Sequence, residues 1–485
     1  MVVIESYDFK SGDIPINVTI NKERDSFVFI YEISISKISE NTELILDKIL
    51  EEVADKINLG IVDITDPKKT LQTREKFRDS IVYTISKYFP DISDQTRSFF
   101  TTYLMQKGFG LGKIDLLLSD ANLEEVVINN AEDPLWVYHR KHGWLKTNIH
   151  VKDEDMVKHY ASLIGRKVGR SISILTPLLD AHLESGDRVN ATLSPISTKG
   201  NTLTMRKFAT KPLTMTDMLR TKTLSVSSAS LIWCGIEFEL SALVTGGTAT
   251  GKTSFLGAMG GFFQPNHRII SVEDTREIRL PIYLHWIPMV TRTPNVEGKG
   301  EVTMLDLIVN SLRMRPDRII VGEIRRQNEA ETLFEAMHTG HSVYATLHAN
   351  DTEETITRLI NPPINVPKPM LPSISMVLVM YRNRRTGIRR VFQISEILHD
   401  GSPNVLLQLD FRKDALLVVR RNQRLMPELT LQTGLTRNEI NNIMAEKGNI
   451  LRWMVKNNIN TVDGFGKVVA TYYTDKEKLL KFIKK

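Results

Sequence analysis

The sequence predicts an α/β domain built on a mostly parallel sheet, preceded by an α+β N-terminal domain and flanked by helical terminal segments. Three observations carry that expectation. Gly246 to Thr253 reads GGTATGKT, which fits the phosphate-loop pattern of Gly, four residues, then Gly-Lys-Ser/Thr. From about Leu224 to residue 400, strand-like and helix-like segments alternate, as a parallel sheet with crossover helices requires. Three successive predicted strands there run into ionisable residues, at Glu273-Asp274, Glu323 and His348. Open α/β sheets hold ligands at the carboxyl ends of their strands.

Composition bounds the rest. With 485 residues the chain is too long for one core, so two or three domains are expected. A composition of 41% hydrophobic and 25% charged residues is globular material rather than disorder. The opening MVVIESYDFK lacks a basic region followed by an apolar stretch, so no signal peptide is expected. The apolar-leaning run Leu231–Val244 contains Glu237 and Glu239, and Ile374–Met380 is too short to span a bilayer. A soluble or peripheral protein is therefore expected. Cys234 is the single cysteine, which rules out an internal disulfide and a four-cysteine zinc site and fits a reducing cytoplasm. A net charge of +6 permits peripheral contact with acidic membrane lipid and does not signal nucleic acid.

In chain order, residues 1–110 read as a variable N-terminal segment, β-rich and then helical. Ser26–Ile33 is β-prone, and Gly12 to Pro15 punctuates a turn. Ile45, Ile49, Val53 and Ile57 give helical spacing, as do Phe77, Ile81, Ile85 and Phe89; a third helix starts near Ser93 and ends at Gly108–Gly112. Residues 111–208 read as an α+β domain, with strands at Val126–Ile128, Trp136–His139, Asn190–Leu193 and Leu203–Phe208, a helix at Met156–Val168 and a loop at Pro177–Asp187. Polar residues 209–224, with Pro212, read as a linker. Residues 225–400 form the α/β domain, entered through a strand at Phe238–Thr245. Residues 401–485 read as a mainly helical subdomain, with capping boxes at Thr436/Glu439 and Thr474/Glu477.

The loop fixes the candidate chemistry. Gly246 and Gly251 let backbone N–H groups close around a polyphosphate. Gly246, Gly247, Thr248, Ala249, Thr250, Gly251, Lys252, Thr253 and Ser254 form the candidate nucleotide-binding set. Lys252 would reach the terminal phosphates, and the Thr253 hydroxyl would bind Mg²⁺. Hydrolysis also needs a group acting on water and cations on the leaving phosphates. Glu323 is the candidate for the first role, and Glu273-Asp274 could hold the metal through water. His341 and His348 lie seven residues apart across a strand, so a metal pair is disfavoured and His348 reads as a phosphate-contacting group. Arginines cluster at Arg313, Arg315, Arg325 and Arg326, with Arg188 and Arg206 in the preceding domain.

Together these segments resemble the secretion ATPase superfamily, the ring ATPases of type II secretion, type IV pili and the archaeal motility filament. The resemblance covers about residues 110–400. LSDANLEEVVINN (118–130) looks like the family's domain-entry segment and LLDAHLESGDRVNATLSPISTKGNTLTMRKF (178–208) like its N-terminal-domain signature. GGTATGKT looks like its Walker A, SVEDTREIRLP (271–281) like its Asp box, LRMRPDRIIVGEIR (312–325) like its Walker B and TGHSVYATLHAN (339–350) like its His box. The resemblance implies a RecA-like P-loop NTPase motor domain using ATP and Mg²⁺, assembled as a homohexamer. It implies Glu323 and Glu273 as acidic catalytic residues, His348 as the box histidine, and Arg188, Arg206 and Arg325 as phosphate-facing arginines. It further implies a cytoplasmic protein peripheral at the inner face of the cell membrane, acting on a polytopic platform protein and, through it, on pilin subunits. The missing zinc cysteines and the atypical first 110 residues look more like the archaeal branch. That branch includes pilus-like assembly ATPases and, as an alternative here, the archaellum motor ATPase. Two other classes are a nucleic-acid-translocating P-loop ATPase, disfavoured by the lack of a basic stripe with interleaved aromatics, and a nucleotide-gated scaffold without turnover.

Overall fold

Alternating apolar and polar residues build one sheet of the protein, and buried, mostly apolar runs build the centre of the other. The computed structural model describes residues 2–23, 26–35, 38–56, 67–183, 185–208, 212–294 and 298–483. Ile57, Glu184, the linker's residues 209–211 and the basic terminal pair 484–485 lie outside the described residues. Two units are distinguished, Met1–Thr210 and Lys211–Lys485.

The first unit runs β1 (Val2–Ser11), β2 (Ile14–Lys22), β3 (Ile30–Ile35), α1 (Glu40–Lys56), α2 (Pro67–Tyr88), α3 (Asp94–Phe109), α4 (Lys113–Ser119), β4 (Leu123–Ile128), β5 (Trp136–His139), β6 (Gly143–Thr147), α5 (Glu154–Lys167), β7 (Leu178–His182), β8 (Arg188–Thr192) and β9 (Thr202–Arg206). All nine strands form one sheet, ordered β1-β2-β3-β6-β5-β4-β9-β8-β7. The N-terminal strands thus share a sheet with the α+β segment through the parallel pair β3/β6. The strand expected at Ser26–Ile33 begins only at Ile30. The buried stripe of α1 passes through Leu46, Ile49 and Val53, while Ile45 is exposed. The segment read as a loop at Pro177–Asp187 contains β7, whose Leu179 and Ala181 are buried and whose neighbours face out. Its flanking Pro, Ser, Gly and Asp masked a strand of five residues.

The second unit runs α6 (Met215–Arg220), α7 (Val226–Glu237), β10 (Ala242–Gly246), α8 (Lys252–Gly260), β11 (Arg268–Glu273), β12 (His285–Val290), α9 (Met304–Leu312), β13 (Arg318–Val321), α10 (Gln327–His338), β14 (Ser342–Leu347), α11 (Thr352–Ile360), β15 (Met376–Arg382), β16 (Arg389–Ile397), β17 (Pro403–Asp410), β18 (Ala415–Val418), α12 (Leu425–Thr433), α13 (Arg437–Lys456), α14 (Val462–Thr474) and α15 (Lys476–Ile483). Its sheet is mixed: β12-β11-β13-β14-β10-β15 are mutually parallel, and β16, β17 and β18 extend it antiparallel. Ala242 and Val244 of β10 face one apolar core and Leu243 the other.

The structure departs from the sequence expectations at four further places. The strand before the loop starts at Ala242, because α7 extends to Glu237 and Glu239 turns the chain at φ +63°. The later part of the linker is a packed element: Thr214 and Asp217 form a capping box on α6, which buries Met215, Met218 and Leu219. Residues 403–418 complete the sheet as β17 and β18 before the helices begin. The start of α15 is bonded by Asp475, whose Oδ1 accepts from Lys478 N at 3.2 Å; Thr474 ends α14. The Thr436/Glu439 capping box forms as expected.

The terminal helices belong to the core. Lys447 of α13 is fully buried and pairs with Glu237 of α7. Its ammonium lies 5.0 Å from the Trp233 ring centroid and 5.6 Å from that of Tyr472, a double cation–π contact. The neighbouring Cys234 is buried, which pushes its thiol up to about 11.

Candidate nucleotide site

Buried along its whole length, β10 delivers the chain to the loop. Gly246 ends the strand at φ +149°, where an added Cβ would lie 2.5 Å from the Met380 carbonyl oxygen. Gly251 is the left-handed N-cap of α8 at φ +92°. Ala249 holds φ +60° without being glycine, a conformation costing on the order of 1–3 kcal/mol. Such strain is kept where surrounding structure fixes a functional loop. Thr250 Oγ1 donates to Gly247 O at 2.9 Å, and Arg389 Nε donates to Ala249 O at 3.3 Å. Thr248, Ala249 and Ser254 are exposed, and Thr253 lies half-buried in the first turn of α8.

Lys252 is buried and its ammonium donates to the Gly246 and Gly247 carbonyls, both at 3.0 Å. Burial lowers its pKa. The ammonium also lies 3.3 Å from His348 Nδ1, and His348 Nε2 lies 3.0 Å from Glu323 Oε1. Burial and the Lys252 charge lower the imidazole pKa, outweighing Glu323. The neutral ring therefore accepts from Lys252 at Nδ1 and donates to Glu323 at Nε2. The other oxygen of Glu323 accepts from Arg325 Nε at 2.9 Å and NH2 at 2.6 Å, and Arg325 NH1 reaches Asp274 Oδ2 at 2.5 Å. Lys252, His348, Glu323, Arg325 and Asp274 thus form one continuous polar chain across the ends of β10, β14, β13 and β11.

Glu273 ends β11 and is 2% exposed. Its Oε1 accepts from Glu277 N at 2.9 Å and Ile278 N at 3.0 Å, while Oε2 has no hydrogen-bond partner. Burial raises the carboxyl pKa to about 7 despite those two donors. A buried carboxylate oxygen without a partner, at a strand end beside a phosphate loop, fits a group that bonds a metal's water. Among the described residues no cluster of His, Cys, Asp or Glu is arranged to hold a metal by itself. The fit is therefore to a Mg²⁺ carried largely by phosphates and completed by the Thr253 hydroxyl and water.

The remaining candidates separate. Arg188 and Arg206, in the first unit, are direct cross-strand partners on β8 and β9. Arg188 pairs with Asp180 at 3.2 Å, and Arg206 lies opposite Glu125 of β4. Arg313 and Arg315 precede β13, at the end of that strand opposite Glu323. Arg326 caps α10. His341 and His348 lie at opposite ends of β14, and His338 Nε2 is 3.0 Å from Ser373 Oγ.

Two residues of this region were not singled out in the sequence. Arg389 touches the loop from a later hairpin, and no local signal marks it. Arg318 is completely buried at the start of β13; it donates through Nε to His267 Nδ1 (3.2 Å), NH1 to Ser342 Oγ (2.6 Å) and NH2 to Ile236 O (3.0 Å). A charged residue opening an otherwise apolar strand was its available signal.

A family model described as type II/IV secretion system protein matches residues 110–381, a span holding all four of these strand ends. The chain belongs to this family. An uncharacterized protein of Methanocaldococcus jannaschii is 38% identical over 348 residues, covering 70% of this chain and 46% of the relative. The type IV secretion system protein PtlH of Bordetella pertussis is 28% identical, covering 61% of this chain and 96% of PtlH. The X-ray structure of the Legionella pneumophila ATPase DotB aligns with a TM-score of 0.44 at 19% identity, covering 74% of this chain and 94% of DotB. The chain spans about half the length of the first curated relatives it matches. No helix among the described residues of this secretion-family chain is long and apolar enough to cross a membrane.

Proposed function

We propose that this chain is the ATP-hydrolysing subunit of a motor that powers assembly of a type IV pilus-like surface filament. The observation that carries the reading is the polar chain from Lys252 through His348 and Glu323 to Arg325. It joins the phosphate loop to a carboxylate placed to act on water. The six parallel strands that include the loop strand β10 suit a RecA-like motor domain, and the residue segments 111–208 and 225–400 would serve as the family's N-terminal and motor domains. Similarity to a methanogen protein and to PtlH supports an archaeal member of a secretion or pilus system, working as a homohexamer. Its place is the inner face of the cell membrane, against a polytopic platform protein that moves pilins.

The geometry suggests how the site works. Lys252 is bonded to loop carbonyls that a polyphosphate would replace as its partners. Both oxygens of Glu323 are held, one by His348 and one by Arg325. A γ-phosphate competes for Arg325, and drawing that cation away frees one oxygen of Glu323 to take a proton from attacking water. His348 then couples the phosphate end to Glu323. Mg²⁺, when bound, would neutralise phosphate charge, with Thr253 and Glu273 as its protein-side contacts. In the first unit, the cross-strand pair Arg188 and Arg206 is a second candidate anion contact.

The test is steady-state phosphate release together with nucleotide binding. Glu323→Gln is expected to keep ATP affinity and lose about 100-fold or more in turnover. Lys252→Ala is expected to lose ATP affinity. Unchanged turnover in the first variant removes Glu323 from the chemistry; unchanged affinity in the second removes the loop from nucleotide binding.

A further inference from the structure

The β15–β16 hairpin stands against the phosphate loop on the side away from the hydrolytic residues. In the sheet, β14 and β13 lie on one side of β10 and β15 on the other. Gly246 pairs in register with Met380, so the hairpin turn rises beside the loop at the carboxyl end of the sheet. The turn is built by its own bonds. Asn383 Oδ1 accepts from Arg385 N at 2.9 Å and Thr386 N at 3.1 Å, and Gly387 N donates to Asn383 O at 2.8 Å. The returning strand then carries Arg389 onto the loop. Its Nε donates to Ala249 O at 3.3 Å, and its Cδ lies 3.4 Å from the place a Gly251 Cβ would take.

The base of the hairpin is fixed. Arg390 binds Asp414 through Nε at 2.7 Å and NH2 at 2.8 Å, and donates from NH1 to Thr221 O at 3.0 Å. Val391 N donates to Thr223 O at 2.7 Å. Arg389 is thus positioned by its neighbours, while no carboxylate among the described residues pairs with it. Its guanidinium keeps its terminal nitrogens and its planar face for something else.

We propose that Arg389 binds the nucleoside half of a bound nucleoside triphosphate, its guanidinium stacking on the base. The inference rests on the reading of Gly246–Thr253 as a triphosphate loop. A triphosphate whose γ end meets Glu323 and His348, beyond β13 and β14, directs its nucleoside toward β15 and β16. A planar cation on that side suits a π-face. The contact is equally present with substrate and with diphosphate product, so it acts on affinity and on KM more than on kcat.

Calorimetric affinities for ATP, ADP and inorganic tripolyphosphate test this. Arg389→Ala is expected to weaken ATP and ADP by about tenfold and to leave tripolyphosphate unchanged. Arg389→Lys keeps the charge and loses the planar face, and is expected to weaken ATP nearly as much. Arg384→Ala/Arg385→Ala removes exposed charge from the hairpin turn and is expected to bind all three ligands normally. Equal weakening of tripolyphosphate by Arg389→Ala, full ATP affinity in Arg389→Lys, or an equal loss in the turn variant overturns the nucleoside contact. Tripolyphosphate binding that survives Lys252→Ala instead overturns the loop reading beneath it.

Discussion

The two ends of β13 carry two different polar hubs. At the amino end, Arg318 is fully enclosed and its donors meet His267, Ser342 and the Ile236 carbonyl. At the carboxyl end, Glu323 joins His348 and Arg325, and the Arg325 side chain is 59% exposed. The strand between them has only four residues, all buried. One hub encloses its guanidinium, whose NH2 also lies 3.5 Å from Oε1 of the half-exposed Glu239, and it fixes the register of β13 against α7 and β14. The other opens to solvent, and an arriving anion can exchange its partners. Rigidity at one end gives the exchange at the other a fixed frame.

Stability measurements can break or sharpen that contrast. The largest effect belongs to Arg318→Ala, which leaves buried acceptors unpaired and opens a cavity. It is expected to cost about 3–5 kcal/mol in urea unfolding of the second unit's transition. A loss under about 1 kcal/mol would make the closed hub no more than a surface pair.

Next comes Glu273, buried at the end of neighbouring β11. Its folded pKa is raised from 4.5 to about 7 by burial, so the folded state holds the proton more tightly than the unfolded chain. The contribution is fully present below pH 4.5 and is lost as pH rises through about 7. The shift corresponds to on the order of 3 kcal/mol. Unfolding free energies of the wild type minus Glu273→Gln, measured without Mg²⁺, should fall across that window; a flat difference would mean the carboxyl is already ionised in the fold.

The smallest effect is expected for Arg325→Ala, whose partly exposed pairs contribute under about 1 kcal/mol to stability. If it unfolds as easily as Arg318→Ala, the open hub is structural after all and the contrast fails.

Much of this site was legible because its residues stand at abrupt changes of texture. Ile269 to Val272, Ile319 to Val321 and Val343 to Leu347 are buried, mostly apolar runs, interrupted by Ser271 and Thr346, that stop at Glu273, Glu323 and His348. Burial on both faces of a parallel strand enforces the run, and the sheet edge permits the polar stop. Elements whose placement depends on register were not legible. Arg188 and Arg206 lie eighteen residues apart in the chain, and only the β8/β9 pairing makes them neighbours. Arg389 reaches the loop through a hairpin whose turn fixes where the strand returns. β7 was hidden because one buried face on a five-residue edge strand leaves just two apolar positions inward, Leu179 and Ala181.

The lysine beneath Trp233 has a practical consequence for anyone shortening or tagging this protein. A cut before Arg437 would remove Ile450, Leu451, Met454, Phe465 and Val469 from the larger core of the second unit, and would unroof the indole that α7 lays against Phe262 at a centroid distance of 5.0 Å. Glu237 would lose its buried counterion three positions from Leu240, just before the strand that ends in the phosphate loop. The C-terminal helices serve as a keystone under β10 rather than as an appendage to it.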